Sequence, residues 1–410
     1  MGMEDDPAGW ALLTSPSIGE LLTAAVAHGG GVLRAWQVDG VDAEPGLQTT
    51  ATYRTEVEWP FGVRTELLGV SARVGGAAGT DADAVIFAAG DRQVAAWLYP
   101  RDPDLPGLVR AAFADGVAQL LSQHLVLGWP VTPGQVRLEL VGYRPRRRAV
   151  LRADVTGPEG PRTVFLKVLK DDAVTPTVRR HELLREAGLP APEVVAVTDD
   201  QILVLPALPG RTLAHALFDG GSPPCGGEAL VGLLDALPAE AAELPRHTPW
   251  ASAIGQYART VAAALPTLQP RLAAIQERVV AGLESIPLGI EPTHGDFHEG
   301  QVFVDGGRIV GLLDVDRVGP GHRADDLACL VGHLATIQGM TPEQERRIDR
   351  LAAEWVDVFD QRVDPVELRV KAAAIVVSLA TGPYRTQQDG WQQATEAIVS
   401  RAEQLLLSAG

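Results

Sequence analysis

The chain has 410 residues, 46% of them hydrophobic, with 35 basic against 52 acidic side chains and a formal net charge of −17. That length predicts two or three domains or one two-lobed unit, and the composition supplies a core and excludes wholesale disorder. The acidic surplus argues against nucleic acid as a partner, because a phosphate backbone needs a basic face. Two cysteines, Cys225 and Cys329, argue against a disulfide framework and for a reducing, cytoplasmic setting.

The N-terminal MGMEDDPAGWALLTS lacks a basic start and an apolar run, so no secretory signal is expected. No uncharged apolar run reaches the roughly 18 residues of a membrane span. Residues 18–29 read as a short helix. Residues 32–100 then alternate with period 2, in TATYRTEVEW, RTELLGVSARV and AVIFAAGDRQVAAWLY. LPGLVRAAFADGVAQLLSQHL, 105–125, reads as one amphipathic helix. The break GWPVTPGQ, 128–135, sets a first boundary and leaves residues 1–130 as a small β-rich cap-like domain. Its tryptophans, Trp10, Trp36, Trp59 and Trp97, are expected in a core.

Residues 131–208 form a second part. VRLELVGY, AVLRADV and TVFLKVLK are three strands of an antiparallel meander, followed by the helix TVRRHELLREAG and the strands EVVAVT and QILVLPAL. From 209 to 410 the chain is mostly helical, at about 211–218, 228–236, 251–264, 271–286, 324–337, 343–363, 366–381 and 391–408. FDGGSPPCGGE, 218–228, is a loop, and there is no internal repeat.

One segment breaks the helical pattern: PTHGDFHEGQVFVDGGRIVGLLDVDRVG, 292–319. Asp296 lies five residues before Gln301, and Asp314 thirteen residues after it. Kinase-type phosphoryl transfer needs a carboxylate at the acceptor hydroxyl, then an amide or carboxylate oxygen and a second carboxylate on Mg²⁺. Protein kinases place these on H-R-D-x-x-x-x-N and on a following D-F-G. Here Gln301–Asp314 reads as a hairpin turning at Asp305-Gly306-Gly307, which sets Gln301 beside Asp314. Two other readings are a polar turn with structural His–Asp bonds, and a transition-metal site on His294, Asp296 and His298. Neither accounts for Gln301 and the later aspartates in this order.

THGDFHEGQVFV, VGLLDVDRVG and HRADDLACL together resemble the aminoglycoside phosphotransferase/choline kinase-like family, with its H-G-D-x-H-x-x-N, I-D-[FW] and D-L-A elements. The resemblance covers about residues 136–400. It implies an α+β, bilobal protein-kinase-like fold: an antiparallel five-stranded N-lobe and a mostly helical C-lobe, here preceded by the β-rich cap. Gln301 departs from the usual Asn and resembles the maltokinase-like sugar-kinase branch, which also carries an N-terminal cap.

By the same resemblance Asp296 is the catalytic carboxylate, and Gln301 and Asp314 hold the metal with Asp316 as a further candidate. Lys167, mid-strand, pairs the phosphates, with Lys170 as its rival. Glu182 is its helix partner, with Glu186 as the alternative. Backbone near Leu205–Leu208 would bind adenine, and Gly210, Thr212 and Leu213 resemble the start of the helical lobe. The first turn carries a single glycine, Gly142. Arg144 and Arg148, with Arg146 and Arg147 between them, are therefore expected to meet phosphate oxygens. His294 and His298 orient the loop, and Asp326 caps the helix at 325–337 and braces the loop.

These readings predict a small-molecule kinase using ATP and Mg²⁺, with a sugar or amino sugar as acceptor. An aminoglycoside acceptor is the alternative, and a catalytically silent nucleotide-binding protein is a second one.

Overall fold

The structure is a computed structural model that describes residues 9–44, 48–74, 84–89, 92–220 and 223–409. The acidic start, 1–8, and residues 221 and 222 of the loop 218–228 lie outside the described residues. The chain divides into two compact units. The first comprises the described residues of Met1–Val174 with Val194–Ala207 and Tyr384–Asp389; the second comprises Thr175–Glu193, Leu208–Pro383 and Gly390–Gly410.

The first unit holds two antiparallel sheets. β1 (Val32–Glu44), β2 (Gln48–Trp59), β3 (Gly62–Val74), β4 (Val85–Ala89) and β5 (Arg92–Leu98) pair in the order β1-β2-β3-β5-β4. Period-2 alternation turns Ala51, Tyr53 and Val57 inward, against Leu13 and the helix Ile18–His28, which offers Ile18, Leu22 and Val26. The Tyr53 hydroxyl donates to the Leu13 carbonyl at 2.6 Å. Tyr384, from the far end of the chain, stacks on Trp10 with ring centres 5.1 Å apart.

The second sheet runs β6 (Val136–Arg144), β7 (Arg148–Gly157), β8 (Gly160–Leu169), β9 (Ala196–Val197) and β10 (Ile202–Pro206), in the order β6-β7-β8-β10-β9. One face, with Ala149, Leu151, Val164, Leu166, Val168 and Val204, is buried under the helices Leu108–Ala111 and Ala114–Gln123. The single helix expected at 105–125 is thus broken. Phe113 is extended (φ −124°, ψ 138°), and the Arg110 carbonyl comes so close to Gly116 that a Cβ there would lie 2.3 Å from it. The strand expected at 193–198 shrinks to Ala196–Val197, with the Val195 N–H still donating to the Val204 carbonyl at 2.9 Å.

A buried polar knot joins the two sheets. Trp97 Nε1 donates to the Tyr143 hydroxyl at 2.9 Å, which donates to Asp102 at 2.7 Å. Arg146 donates from its backbone N–H to Asp102 (2.8 Å), from Nε to Ser71 (2.9 Å) and from Nη1 to Asp104 (3.0 Å). Its guanidinium also lies 5.0 Å from the Trp97 ring centre.

The second unit is helical around two apolar clusters. The helix Pro342–Phe359 shows why: Ile348, Leu351, Trp355 and Phe359, spaced three and four apart, are its buried positions, and Thr341 caps it. Short strands interrupt the helices: β11 (Arg211–Thr212), β12 (Glu291–Thr293), β13 (Val302–Asp305), β14 (Arg308–Leu312) and β15 (Gly319–Gly321). They pair as β11-β13-β14 and β12-β15. The β13–β14 hairpin turns at Gly306 and Gly307, with φ of 53° and 78°, the left-handed pair that a tight hairpin requires. Among the described residues no helix is long and apolar enough to cross a membrane.

Candidate active site

The segment 293–301 is fixed at its backbone. Thr293 Oγ1 donates to the Gly319 carbonyl at 2.8 Å, which seats β12 on β15. The N–H groups of His294 and Gly295 donate to the two carboxylate oxygens of Asp326, each at 2.8 Å. Asp326 is fully buried in the first turn of the helix Arg323–Leu334. Burial pushes its pKa up to about 6, against the opposing effects of His294 and the two N–H groups. It does not cap the helix: Asp325 closes that box, accepting from the His322 N–H at 2.9 Å. His294 Nε2 meets the Leu313 carbonyl at 2.9 Å, tying the loop to the end of β14.

Gly295 needs to be glycine. Its φ is +80°, and a Cβ would lie 2.6 Å from the Arg317 carbonyl. Its own carbonyl accepts from Trp250 Nε1 (2.9 Å) and Arg317 Nε (3.1 Å), and the Arg317 guanidinium lies 4.2 Å from the Trp250 ring. Neither residue stood out in the sequence, because their partner here is a backbone carbonyl.

Between these clamps Asp296 is half-buried, while the next residue, Phe297, is fully buried and anchors the loop. Cys329 Sγ lies 4.0 Å from Asp296 Oδ1, and burial, with Asp296 next, keeps the thiol well above its usual range and hence protonated. His298 accepts the Gly300 N–H at Nδ1, 3.1 Å. Burial and then His333 push it down to about 4, so the ring is neutral and its proton sits on Nε2. Gln301 Nε2 is placed 3.0 Å from that Nε2. Two N–H groups would then face each other, so the amide turns over and presents its oxygen to the ring. An amide oxygen has two lone pairs, which leaves one for a cation.

Gln301 and Asp314 stand at neighbouring ends of the hairpin. Val302 pairs with Leu312, and the Leu313 N–H donates to the Gln301 carbonyl at 2.8 Å. Asp314 has left-handed backbone (φ 51°, ψ 54°), which Asp tolerates better than most residues, and opens the 3₁₀ turn Val315–Arg317. A carboxylate and an amide oxygen, carried at adjoining hairpin ends, make up an all-oxygen donor set, the kind that suits Mg²⁺. Asp316 sits inside the turn. Beside it lie His247, whose burial favours the neutral ring, and buried Arg180, which donates from Nε to the Val318 carbonyl at 2.9 Å. Beside the loop, Trp250, Arg317, Thr293, Asp325 and Lys371 line a cavity of about 30 Å³, room for a water or two and not for an acceptor.

In the first unit the β6–β8 register and the strand pleat put Arg144, Arg148 and Lys167 on the sheet face opposite the apolar core. Leu205, across from Phe165 on β10, joins them. Lys167 is only 6% exposed. Arg144 is exposed, with Arg385, Arg148 and Arg147 as cationic neighbours. Arg146 is committed to the buried knot instead. In the second unit Glu182 and Glu186 are exposed, with Arg179 as a common partner at 3.9 and 3.7 Å. Leu208 packs over Gly311, where a Cβ would come within 2.7 Å of it.

Residues 147–364 match the model of the APH group, the phosphotransferase enzyme family. No curated protein matches the sequence. Among solved structures, a thermostable mutant of aminoglycoside phosphotransferase APH(4)-Ia aligns at 16% identity, over 70% of this chain and 98% of its own, with a TM-score of 0.47. Macrolide 2'-phosphotransferase MphH from Brachybacterium faecium aligns at 19%, over 70% and 98%, TM-score 0.42. Choline kinase from Cryptosporidium parvum Iowa II aligns at 9%, over 70% and 94%, TM-score 0.46. The family match rests on the sequence.

Proposed function

The chain belongs to the phosphotransferase enzyme family, and we propose that it phosphorylates a hydroxyl of a sugar or amino sugar at the expense of Mg-ATP. The observation that carries this reading is the placement of Gln301 and Asp314 at the adjoining ends of one hairpin, joined through the Leu313 N–H on the Gln301 carbonyl, after a loop that presents Asp296. Gln301 and Asp314 would hold the magnesium ion. Asp316, inside the turn and beside Arg180, is a further candidate. Lys167, Arg144 and Arg148 offer cations to phosphate oxygens, and backbone from Leu205 to Leu208 receives the adenine. When bound, Mg-ATP supplies the phosphoryl group and neutralises its charge.

Asp296 then has two tasks: to orient the acceptor hydroxyl and to take its proton. Its backbone cannot drift, because the Asp326 carboxylate, Trp250 and Arg317 all hold the two residues before it. Positioning of this kind supplies most of the rate in phosphoryl transfer, with base help secondary. A sugar acceptor is favoured over an aminoglycoside by Gln301 in the usual Asn position and by the additional β-rich sheet before residue 130.

The test is Mg-ATP consumption by the full chain with sugars, amino sugars, aminoglycosides and choline, with Asp296→Ala as control. Turnover with a sugar or amino sugar, lost in the variant, is the expected result. Turnover only with aminoglycosides would overturn the acceptor, and nucleotide binding without turnover on any acceptor would overturn the catalytic reading.

A further inference from the structure

We propose that His298, Glu299 and His333 form a binding site for a divalent first-row transition metal, Zn²⁺ by preference, and that filling it misaligns the catalytic loop. The ligand atoms of these three residues all lie within 4.8 Å of one another. Glu299 Oε2 is 3.8 Å from His298 Nδ1 and 3.6 Å from His333 Nδ1. Zinc bonds of about 2.0–2.2 Å set tetrahedral ligands roughly 3.3–3.5 Å apart, so a contraction of a few tenths of an ångström is enough for these two pairs. The carboxylate oxygen between the rings is shielded from solvent and makes no hydrogen bond of normal length, His333 Nδ1 standing 3.6 Å away, a state that buried polar atoms rarely tolerate without a ligand or water.

The donor set decides which cation enters. Two imidazoles and one carboxylate suit zinc and its neighbours, whereas magnesium prefers oxygen ligands and near-octahedral geometry. The Gln301–Asp314 pair and this cluster therefore select different ions, although His298 touches both.

Entry requires one movement. The two rings stack with centres 4.0 Å apart and planes within 8°, and one ion cannot lie in both planes. His333 is the ring that turns. It stands in the last turn of the helix Arg323–Leu334, and its side chain is 20% exposed. Once the ion holds His298 Nδ1, the Gly300 N–H loses its acceptor and the ring leaves its alignment with Gln301. The loop between Asp296 and Gln301 would then be reset by the metal. The binding claim stands apart from the phosphotransferase reading, and the inhibition claim rests on it.

The test is calorimetric titration of the full chain with Zn²⁺ in excess Mg²⁺, with no nucleotide or acceptor, so that failure of the kinase reading cannot mask the result. One equivalent should bind, and His333→Gln should weaken binding roughly 100-fold, at or beyond the cost of losing an outer partner of a metal ligand. Glu299→Gln should do the same and serves if His333→Gln fails to fold, as judged by circular dichroism. Co²⁺ should give the intense visible absorption of a tetrahedral site in the wild type and lose it in both variants. Zinc should inhibit turnover in step with occupancy, and His333→Gln should keep its basal rate and lose the inhibition. Absence of zinc binding, or equal affinity in wild type and variants, would overturn the site. Inhibition that persists in His333→Gln would place the inhibitory ion elsewhere.

Discussion

The loop that carries Asp296 and the arginine turn at 144–148 are each pinned by one buried ionisable side chain, and they are pinned in opposite senses. At the loop the brace comes from outside: Asp326 accepts the N–H groups of His294 and Gly295, 32 and 31 residues away, and spends none of the loop's own side chains. At the turn the brace is the turn's own residue. Arg146, with φ of 60°, sends its guanidinium to Ser71 and Asp104, 75 and 42 residues away, and so is withdrawn from ligand binding. A carboxylate brace fixes backbone and leaves functional side chains on display. An arginine brace in a basic turn divides the cluster into one structural residue and the rest, Arg144 and Arg148 among them.

Three substitutions separate display from brace. Asp296→Ala removes the displayed group alone, and its turnover should fall about 10²–10⁴-fold with the unfolding midpoint nearly unchanged. A large stability loss would show that Asp296 holds the loop instead of acting from it. Asp326→Asn turns an amide N–H toward one of the two backbone donors and leaves that donor unpaired, at a cost of about 1–3 kcal/mol in denaturant unfolding, with slower turnover because Asp296 moves. Unimpaired turnover would mean that Trp250 and Arg317 suffice as clamps. Arg146→Met tests the other brace. Breaking a fully buried ion pair costs roughly 3–5 kcal/mol, but Asp104 keeps Lys170 at 3.5 Å and Arg73 at 3.7 Å, so about 2 kcal/mol is expected. The KM for ATP should rise while kcat holds, and an unchanged KM would show that Arg144 and Arg148 do not depend on the knot.

The same contrast explains what was legible in the sequence. The hairpin around Gly306-Gly307 and the segment His294–Gln301 are local: their spacing, turn residues and apolar alternation lie within some twenty residues, so both could be read directly. The second sheet and most helices were legible for the same reason. Arg146 was not, because nothing near it distinguishes it from Arg144 or Arg148; its partners come from β3, β5 and the loop after β5. The break at Phe113 was hidden because the cause is a backbone approach at Gly116, and the amphipathic pattern continues across it. Trp250 and Arg317 converge on a carbonyl, and Tyr384 returns to Trp10 from the far end of the chain. Such contacts leave no periodicity to read.

The smallest expected effect concerns the protonation of the external brace. Burial raises the folded pKa of Asp326 to about 6, above an unfolded value of about 3.9. Between those values the folded state binds the extra proton, so this group's contribution to stability is fully present below about pH 4 and is lost as pH rises through 6. Acidification from pH 7 to 5 should therefore stabilise the wild type relative to Asp326→Asn, which cannot titrate there. One pKa unit corresponds to 1.36 kcal/mol, so the gap should widen by about 1 kcal/mol in paired denaturant titrations at the two pH values. A constant gap would mean that the two backbone N–H groups hold the carboxyl at an ordinary pKa. A gap that stays constant down to pH 5 and narrows between pH 5 and 3 would mean that they stabilise the anion outright, making the brace stronger as a charge than burial allows.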